Sequence, residues 1–178
     1  MKGEENEKDG PWLRLARGID ALNEFAGRVT LWLVLAATLI SAVNAIFRYT
    51  LGVSSNAWLE IQWYLFAAIV MLASGHALKH GAHVRMDALF GRCSRRTQAL
   101  VDLFGTLFFL LPLCVLMVWL SWPMFAQSWL GGEVSPDAGG LIRWPVRLLI
   151  PAGFALLGLQ GISEIIKRIA DLRGHSEC

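Results

Sequence analysis

The sequence predicts an all-α integral membrane protein with four transmembrane helices and two amphipathic helices, one N-terminal and one central, that lie in the membrane plane. Hydrophobic residues make up 55% of the 178 residues and charged residues only 17%, and the mean hydropathy is +0.49. These values are displaced from those of soluble domains towards those of membrane proteins. Four apolar runs are also long enough to cross a bilayer, which takes roughly 20 residues per helix.

The four runs define a membrane domain at 27–168, with spans at about 27–47, 57–78, 99–122 and 146–166. A cleaved signal peptide is the alternative interpretation of the first run. We reject it because the preceding segment is long and begins acidic, and because the run exceeds the roughly 7 to 15 residues of a signal core. Polar tails at 1–10 and 169–178 complete the chain.

Two segments outside the spans have the pattern of helices that lie on a membrane. Residues 11–26 start with Pro11, which suits a first helical turn, and separate apolar from charged side chains at helical spacing. The segment at about 84–96 also separates apolar from charged side chains, with Met86, Leu89 and Phe90 on one side and Arg92, Arg95 and Arg96 on the other. A basic amphipathic helix binds anionic phospholipid headgroups. A solvated basic loop is the alternative for the second segment.

The distribution of Lys and Arg predicts the orientation of the chain. Thirteen of them flank the spans on the side of the two termini and the second connection, and three lie on the other side. The excess of positive charge predicts that both termini lie in the cytoplasm. The net charge of +2 is small and the basic residues are scattered among the apolar segments, so nucleic acid is not expected as a partner.

Three histidines near the end of the second span raise the question of a metal or haem. His76, His80 and His83 are spaced i, i+4 and i+7, which is one helical face. Haem held by two histidines in a four-helix bundle needs them on different helices. A metal site would need a carboxylate such as Asp87. We expect neither a metal nor another cofactor, and favour interfacial histidines that form hydrogen bonds.

Motifs for catalysis or independent transport are missing from the sequence. It has no phosphate-binding glycine loop, no His-Glu-x-x-His pair and no Gly-x-Ser-x-Gly motif. The centres of the spans, such as "LVLAATLI" and "FFLLPLCVLM", are apolar, whereas a transporter needs polar groups near the bilayer midplane. We therefore expect neither an enzyme nor a solitary transporter, but a subunit of a complex.

The stretch "FRYTLGVSSNAWLEIQWYLFAAIVMLASGHALKHGAHVRMD" resembles the small membrane subunit of tripartite ATP-independent periplasmic (TRAP) transporters, the DctQ-like family. The matching residues are an Arg that ends the first span, a Trp and a Glu that open the second, and a Gly-x-His-Val-x-x-Asp pattern after it: Arg48, Trp58, Glu60, Gly81, His83, Val84 and Asp87. Many members have paired acidic residues where this chain has Glu60 and Gln62. This departure, together with "EVSPDAGGLIRWP" before the last span, resembles the branch whose partners carry 2-oxo acids and related organic acids.

The resemblance implies a function that composition does not show. In such systems a periplasmic binding protein delivers an organic acid, and a large membrane subunit moves it inward, driven by a sodium gradient. The small subunit braces the static scaffold of the large one, and the resemblance implies that it does so in a bacterial inner membrane. The alternative is the membrane anchor subunit of a redox complex, which also consists of small helical proteins without catalytic groups.

Two expectations concern the side of the membrane opposite the termini. Arg48 and Glu60 lie on either side of a short connection, so they either pair with each other or with a partner, or are unrelated interfacial charges. The loop "QSWLGGEVSPDAGGLIRWP" is rich in glycine and proline and carries Trp129 and Trp144 for anchoring at the interface. It either contacts a binding protein or closes the third and fourth spans.

Overall fold

The computed structural model describes residues 11–52, 56–81, 95–137 and 140–174, and its architecture is helical throughout. Helix α1 is Pro11–Leu51 and α2 is Asn56–Lys79. Helix α3 consists of an α-helical segment Arg95–Gly105, a π-helical segment Thr106–Leu110 and a second α-helical segment Leu111–Gly131. Helix α4 is Trp144–Gly174.

Four helices of the described residues are long and apolar enough to cross a membrane, which confirms the predicted fold class. They run alternately up and down. We call the end of the bundle where α1 begins and α2 and α4 finish the terminal end, and the opposite end the loop end. Helix α2 stops at Lys79, close to Gly81, which has a φ of 63°. A left-handed glycine commonly ends a helix, so Gly81 accounts for the end of α2.

Helix α4 is the central element of the bundle and contacts α1, α2 and α3. In its most apolar stretch 33% of the residues are buried, against 6% in each of the other three helices. Glycines allow its close approach to its neighbours: a Cβ at Gly153 would overlap Met71 of α2, and one at Gly161 would overlap Leu110 of α3. Small residues at such crossings are typical of helices packed within membranes.

The π-helical segment of α3 lies where this helix crosses Gly161. Leu111 donates its N–H to the carbonyl of Thr106, five residues back. Pro112 follows and has no N–H to donate, so regular α-helical bonding cannot continue through this turn. The wider turn therefore accommodates the proline within a continuous helix.

The segment predicted as an N-terminal in-plane helix is continuous with the first span in α1. Ala16, Ile19 and Asn23 are buried against the rest of the bundle, whereas the apolar side chains of Trp12 and Leu22 in the same segment are exposed. Residues 11–26 thus extend the bundle at its terminal end, and their placement at a membrane surface stays a prediction. The central in-plane helix at 84–96 lies outside the described residues, except that 95 and 96 begin α3.

The crossing of α4 with α2 yields a test of the fold. Gly153→Leu should lower the free energy of unfolding by about 1 to 3 kcal/mol, because the larger side chain overlaps both the side chain and the backbone of Met71. Thermal unfolding of the chain purified in detergent measures this. Gly18→Leu on α1 is the control, since a Cβ at Gly18 meets no atom within 4 Å. Equal melting temperatures for the two variants would contradict the crossing.

Candidate functional site: polar clusters at the two ends of the bundle

Polar side chains that contact one another lie at the two ends of the bundle. The terminal-end cluster joins α1, α2 and α4, and its members are Asp20, Asn23, Glu24, His76, Lys79, His80, Gln160, Ser163, Glu164 and Lys167. The loop-end cluster joins α2, α4 and the connection between α3 and α4. Its members are the side chains of Glu60, Tyr64, Glu133, Arg143 and Arg147 and the backbone N–H of Leu141.

The terminal-end cluster has a fully buried centre. Asn23 of α1 donates from Nδ2 to Oε1 of Gln160 of α4 over 2.9 Å, and both residues are 0% exposed. Gln160 in turn donates from Nε2 to the Asp20 carboxylate at 2.8 Å. Ser163 donates to the same carboxylate oxygen at 2.7 Å. Removing one member therefore leaves others without partners in an apolar surrounding, which is costly.

Charged residues surround this centre and form ion pairs with one another. Lys167 forms an ion pair with Asp20 at 3.1 Å and also contacts Glu164 on its own helix. Arg168 of α4 pairs with Asp102 near the start of α3 at 3.2 Å. These pairs connect α4 to both α1 and α3 at the terminal end.

A second group within the terminal-end cluster joins α1 to the end of α2. Oε2 of Glu24 accepts a hydrogen bond from Lys79 at 2.7 Å and lies 3.2 Å from Nε2 of His80. Nδ1 of His76 is 3.6 Å from the same oxygen. The side chain of Glu24 is 29% exposed and that of His80 is 52% exposed, so water reaches this group.

The loop-end cluster fastens the connection that follows α3. Glu60 of α2 accepts the backbone N–H of Leu141 at 2.9 Å and a hydrogen bond from Tyr64 at 3.3 Å. Glu133 forms ion pairs with Arg143 at 3.3 Å and Arg147 at 2.6 Å. Val134 and Ile142 form an isolated antiparallel bridge across the loop. The loop is thereby closed on itself and held against α2.

The structure brings the predicted site residues to different places. No ion pair joins Arg48 to Glu60 in the described part of the chain, and Arg48 is exposed. Trp58 is also exposed, and Gln62 accepts a long hydrogen bond of 3.5 Å from Ser41 of α1. Gly81 follows α2, as described above. The remaining predicted residues lie outside the described residues, or their side chains do: His83, Asp87, Met86, Leu89, Phe90, Arg92, Arg95 and Arg96.

Sequence reasoning missed the centre of the terminal-end cluster. Asn23 and Gln160 are 137 positions apart in the chain, so no local motif connects them. A usable signal was present, because a polar residue inside an apolar helical run, as in "LLGLQGI" around Gln160, needs a buried partner. Glu24 is one of the charged residues of the amphipathic segment 11–26, and no local pattern relates it to the histidines of α2.

Between the two clusters the described helices present apolar surface. Two open grooves there are lined by apolar residues such as Leu111, Trp119 and Phe154. Cys114 of α3 is buried and free, beside Gly158 of α4. The described polar groups thus hold the helices together at their ends and form no polar passage through the middle.

This arrangement defines a class of protein: a helical membrane subunit whose polar side chains join its own helices. The chain belongs to the DctQ component family of the tripartite ATP-independent periplasmic transporters, whose family model matches residues 37–171. This is a family of transporter components and not of enzymes. This assignment decides against the redox-anchor alternative.

A curated relative supports the same family. The chain is 30% identical over 137 residues to the ectoine TRAP transporter small permease protein TeaB of Halomonas elongata. The alignment covers 72% of this chain and 66% of that relative, just under two thirds of its length. No solved structure matches the chain.

The buried centre of the terminal-end cluster can be tested with a double-mutant cycle. Asn23→Ala and Gln160→Ala should each destabilise the detergent-purified chain by about 1 to 3 kcal/mol, because each removes the hydrogen bond between α1 and α4 and leaves a buried polar atom with one partner fewer. The double variant should lose less than the sum of the two, by roughly 0.6 to 1.7 kcal/mol, which is the range for hydrogen bonds between membrane helices. Strict additivity of the two losses would show that the pair is not coupled.

The loop-end cluster predicts a protected loop. Glu60→Ala removes the acceptor for the N–H of Leu141, so the loop at 132–143 should open more often and chymotrypsin should cleave it about fivefold faster. Arg48→Ala is the matched control on the same end of the bundle and should leave cleavage unchanged. If Arg48→Ala accelerates cleavage as much as Glu60→Ala, the Glu60 contact does not hold the loop.

Proposed function

We propose that this chain braces the static scaffold of a large TRAP membrane subunit during sodium-driven uptake of an organic acid that a periplasmic binding protein delivers. The observation that carries the proposal is the contrast between polar side chains that contact one another at the two ends of the bundle and an uncovered apolar middle. A transport pathway needs polar groups at mid-membrane, whereas the described polar groups pair with one another at the ends. A supporting subunit needs only a stiff body and a wide apolar surface.

The uncovered surface is large because three of the four helices are peripheral. Trp32 of α1 is 72% exposed, Trp63 of α2 is 77% exposed and Trp119 of α3 is 76% exposed. In a membrane these side chains contact either lipid or another membrane protein. A partner helix gains van der Waals packing on such a surface without any loss of polar hydration, which supports a large subunit as the partner, with phospholipid on the remaining faces.

The family motif supplies the proposed contacts with that partner. We assign this role to Arg48, Trp58, Glu60, Gln62, Gly81, His83 and Asp87. Exposed Arg48 and Trp58 are available to it, while Glu60 is also needed for the loop. The following basic helix, with Met86, Leu89 and Phe90 on its apolar side, is proposed to lie in the headgroup layer.

The orientation proposed for the bundle follows from its charges. The terminal end carries most of the Lys and Arg residues and therefore faces the cytoplasm. The loop end then faces the periplasm, where the binding protein approaches. The ion pairs of Glu133 with Arg143 and Arg147 support the interpretation of this loop as a lid over α3 and α4. The bracing role does not require the binding protein to dock on this lid.

The substrate is proposed from the family branch that the sequence resembles, which carries 2-oxo acids and related organic acids. Ectoine is the second candidate, because the curated relative is by its name an ectoine transporter component. The small subunit contacts no substrate under this proposal, so the two candidates are distinguished by uptake and not by residues of this chain.

The decisive experiment reconstitutes the transporter with and without this chain. The chain, purified in mild detergent from cells that also express the large subunit, should retain that subunit in a stoichiometric complex. In proteoliposomes supplied with the binding protein, an inward sodium gradient should drive uptake of an organic acid, and omission of this chain should reduce the rate about tenfold or more, because the scaffold loses a packed partner.

Controls separate the parts of this proposal. A potassium gradient of the same size tests the coupling ion, and labelled ectoine beside a 2-oxo acid tests the substrate. Full uptake by the large subunit alone would contradict the bracing role. A complex that contains a flavin or iron–sulfur subunit in place of the large permease would contradict the proposed partner.

A further inference from the structure

Three metal-ligating side chains converge at the terminal end, beside the buried centre of the cluster. Glu24 of α1, His76 and His80 of α2 each offer one ligand atom within 4.8 Å of the other two. Oε2 of Glu24 lies 3.6 Å from Nδ1 of His76 and 3.2 Å from Nε2 of His80. Two atoms bound to one tetrahedral zinc ion at roughly 2.1 Å are about 3.4 Å apart. Both distances therefore suit atoms that share one metal ion.

The environment of His76 is a second, independent observation. Its Nδ1 is closed off from solvent and has no hydrogen-bond partner among the described residues. The ring is fixed against Gly27 of α1, where any Cβ would overlap it. A buried nitrogen without a partner costs free energy, and a metal ion bound to its lone pair would remove that cost.

The position of the two histidines on α2 also favours a cation. They are one helical turn apart, and their ring centroids are separated by 4.3 Å, so both rings face the same point. They lie at the C-terminal end of α2, where the unpaired carbonyl groups of a helix attract positive charge. His80 is about half exposed, which gives an ion a route from water.

Lys79 already places a positive charge at this point. Its Nζ lies 2.7 Å from Oε2 of Glu24. An ammonium group competes with a metal ion for that oxygen. The flexible four-carbon stem of lysine allows it to withdraw into water when the metal binds, and the carboxylate has a second oxygen to offer.

We propose that Glu24, His76 and His80 bind one divalent transition-metal ion of the zinc type, which links α1 to the end of α2. Two imidazole nitrogens and one carboxylate oxygen are a donor set that zinc accepts, with water in the remaining position. The ion would stiffen the terminal end of the bundle. This inference uses only residues of this chain and is independent of the proposed bracing role and of the substrate.

The proposal is tested on the full chain, purified in detergent, treated with a chelator and titrated with Zn²⁺ by calorimetry. We expect one Zn²⁺ per chain and a melting temperature that rises with Zn²⁺. Glu24→Gln and His80→Ala should each weaken binding at least about tenfold, since loss even of an outer-shell partner has an effect of this size. Glu133→Gln, at the opposite end of the bundle, is the control and should bind as the native chain does.

Lys79→Met separates a metal site from a simple group of ion pairs. Removal of the competing ammonium should tighten Zn²⁺ binding, by up to about fivefold. If the group only forms ion pairs, the same variant lowers the melting temperature and Zn²⁺ does not restore it. Absence of saturable binding overturns the proposal. Equal Zn²⁺ affinity in the native chain and in the double variant Glu24→Gln, His80→Ala also overturns it, because that result would mean an adventitious ion only.

Discussion

The buried hydrogen bond between Asn23 and Gln160 is the interaction on which the arrangement of the bundle depends. Neither side chain is exposed, and no water is available in an apolar interior to replace a lost partner. α1 and α4 must therefore meet at this level and in this register. Asp20 then falls beside Ser163 and Lys167 on α4, and Gly75 of α2 is required to be small because a Cβ there would overlap Asn23. One polar pair thus positions three helices.

The separation of polar ends from an apolar middle explains why a weakly packed bundle is still well defined. Apolar contacts between membrane helices gain little over contacts with lipid, so they do not select one register. Polar contacts do, because each has a specific partner. At the loop end Glu60 and Glu133 fix the connection to α2 and α4, and at the terminal end Asp102 and Arg168 fix the start of α3. The apolar surfaces between these ends are left for lipid and partners.

The sequence was sufficient for the fold because hydropathy is a property of local runs. It predicts four helices that cross a membrane, and the family resemblance is carried by residues close together in the chain. It did not reveal that α1 continues through residues 26 and 27, because a change from an amphipathic to an apolar pattern marks no break in a helix. Gly27 leaves room for the ring of His76 to pack against α1, and it does not end a helix.

The site was less predictable than the fold because its contacts are distant in sequence. The group formed by Asp20, Ser163 and Lys167 joins residues more than 140 positions apart, and Glu24 meets His80 across 56 positions. The histidine spacing was visible, but its acidic partner was sought on the same segment, at Asp87. A carboxylate on α1 can reach α2 only after the two helices pair, and helix pairing is not encoded in any local pattern.

The terminal-end cluster also crosses the boundary of the family match. The family model covers residues 37–171, whereas Asp20, Asn23 and Glu24 precede it on α1. Their partners on α2 and α4, such as Lys79 and Gln160, lie within the matched region. The helices within the matched region therefore carry hydrogen-bond donors and acceptors whose partners lie on the first half of α1. Without that segment Gln160 and Ser163 would be left in an apolar groove without their described partners on α1, so residues 11–36 are part of the folded body of this subunit.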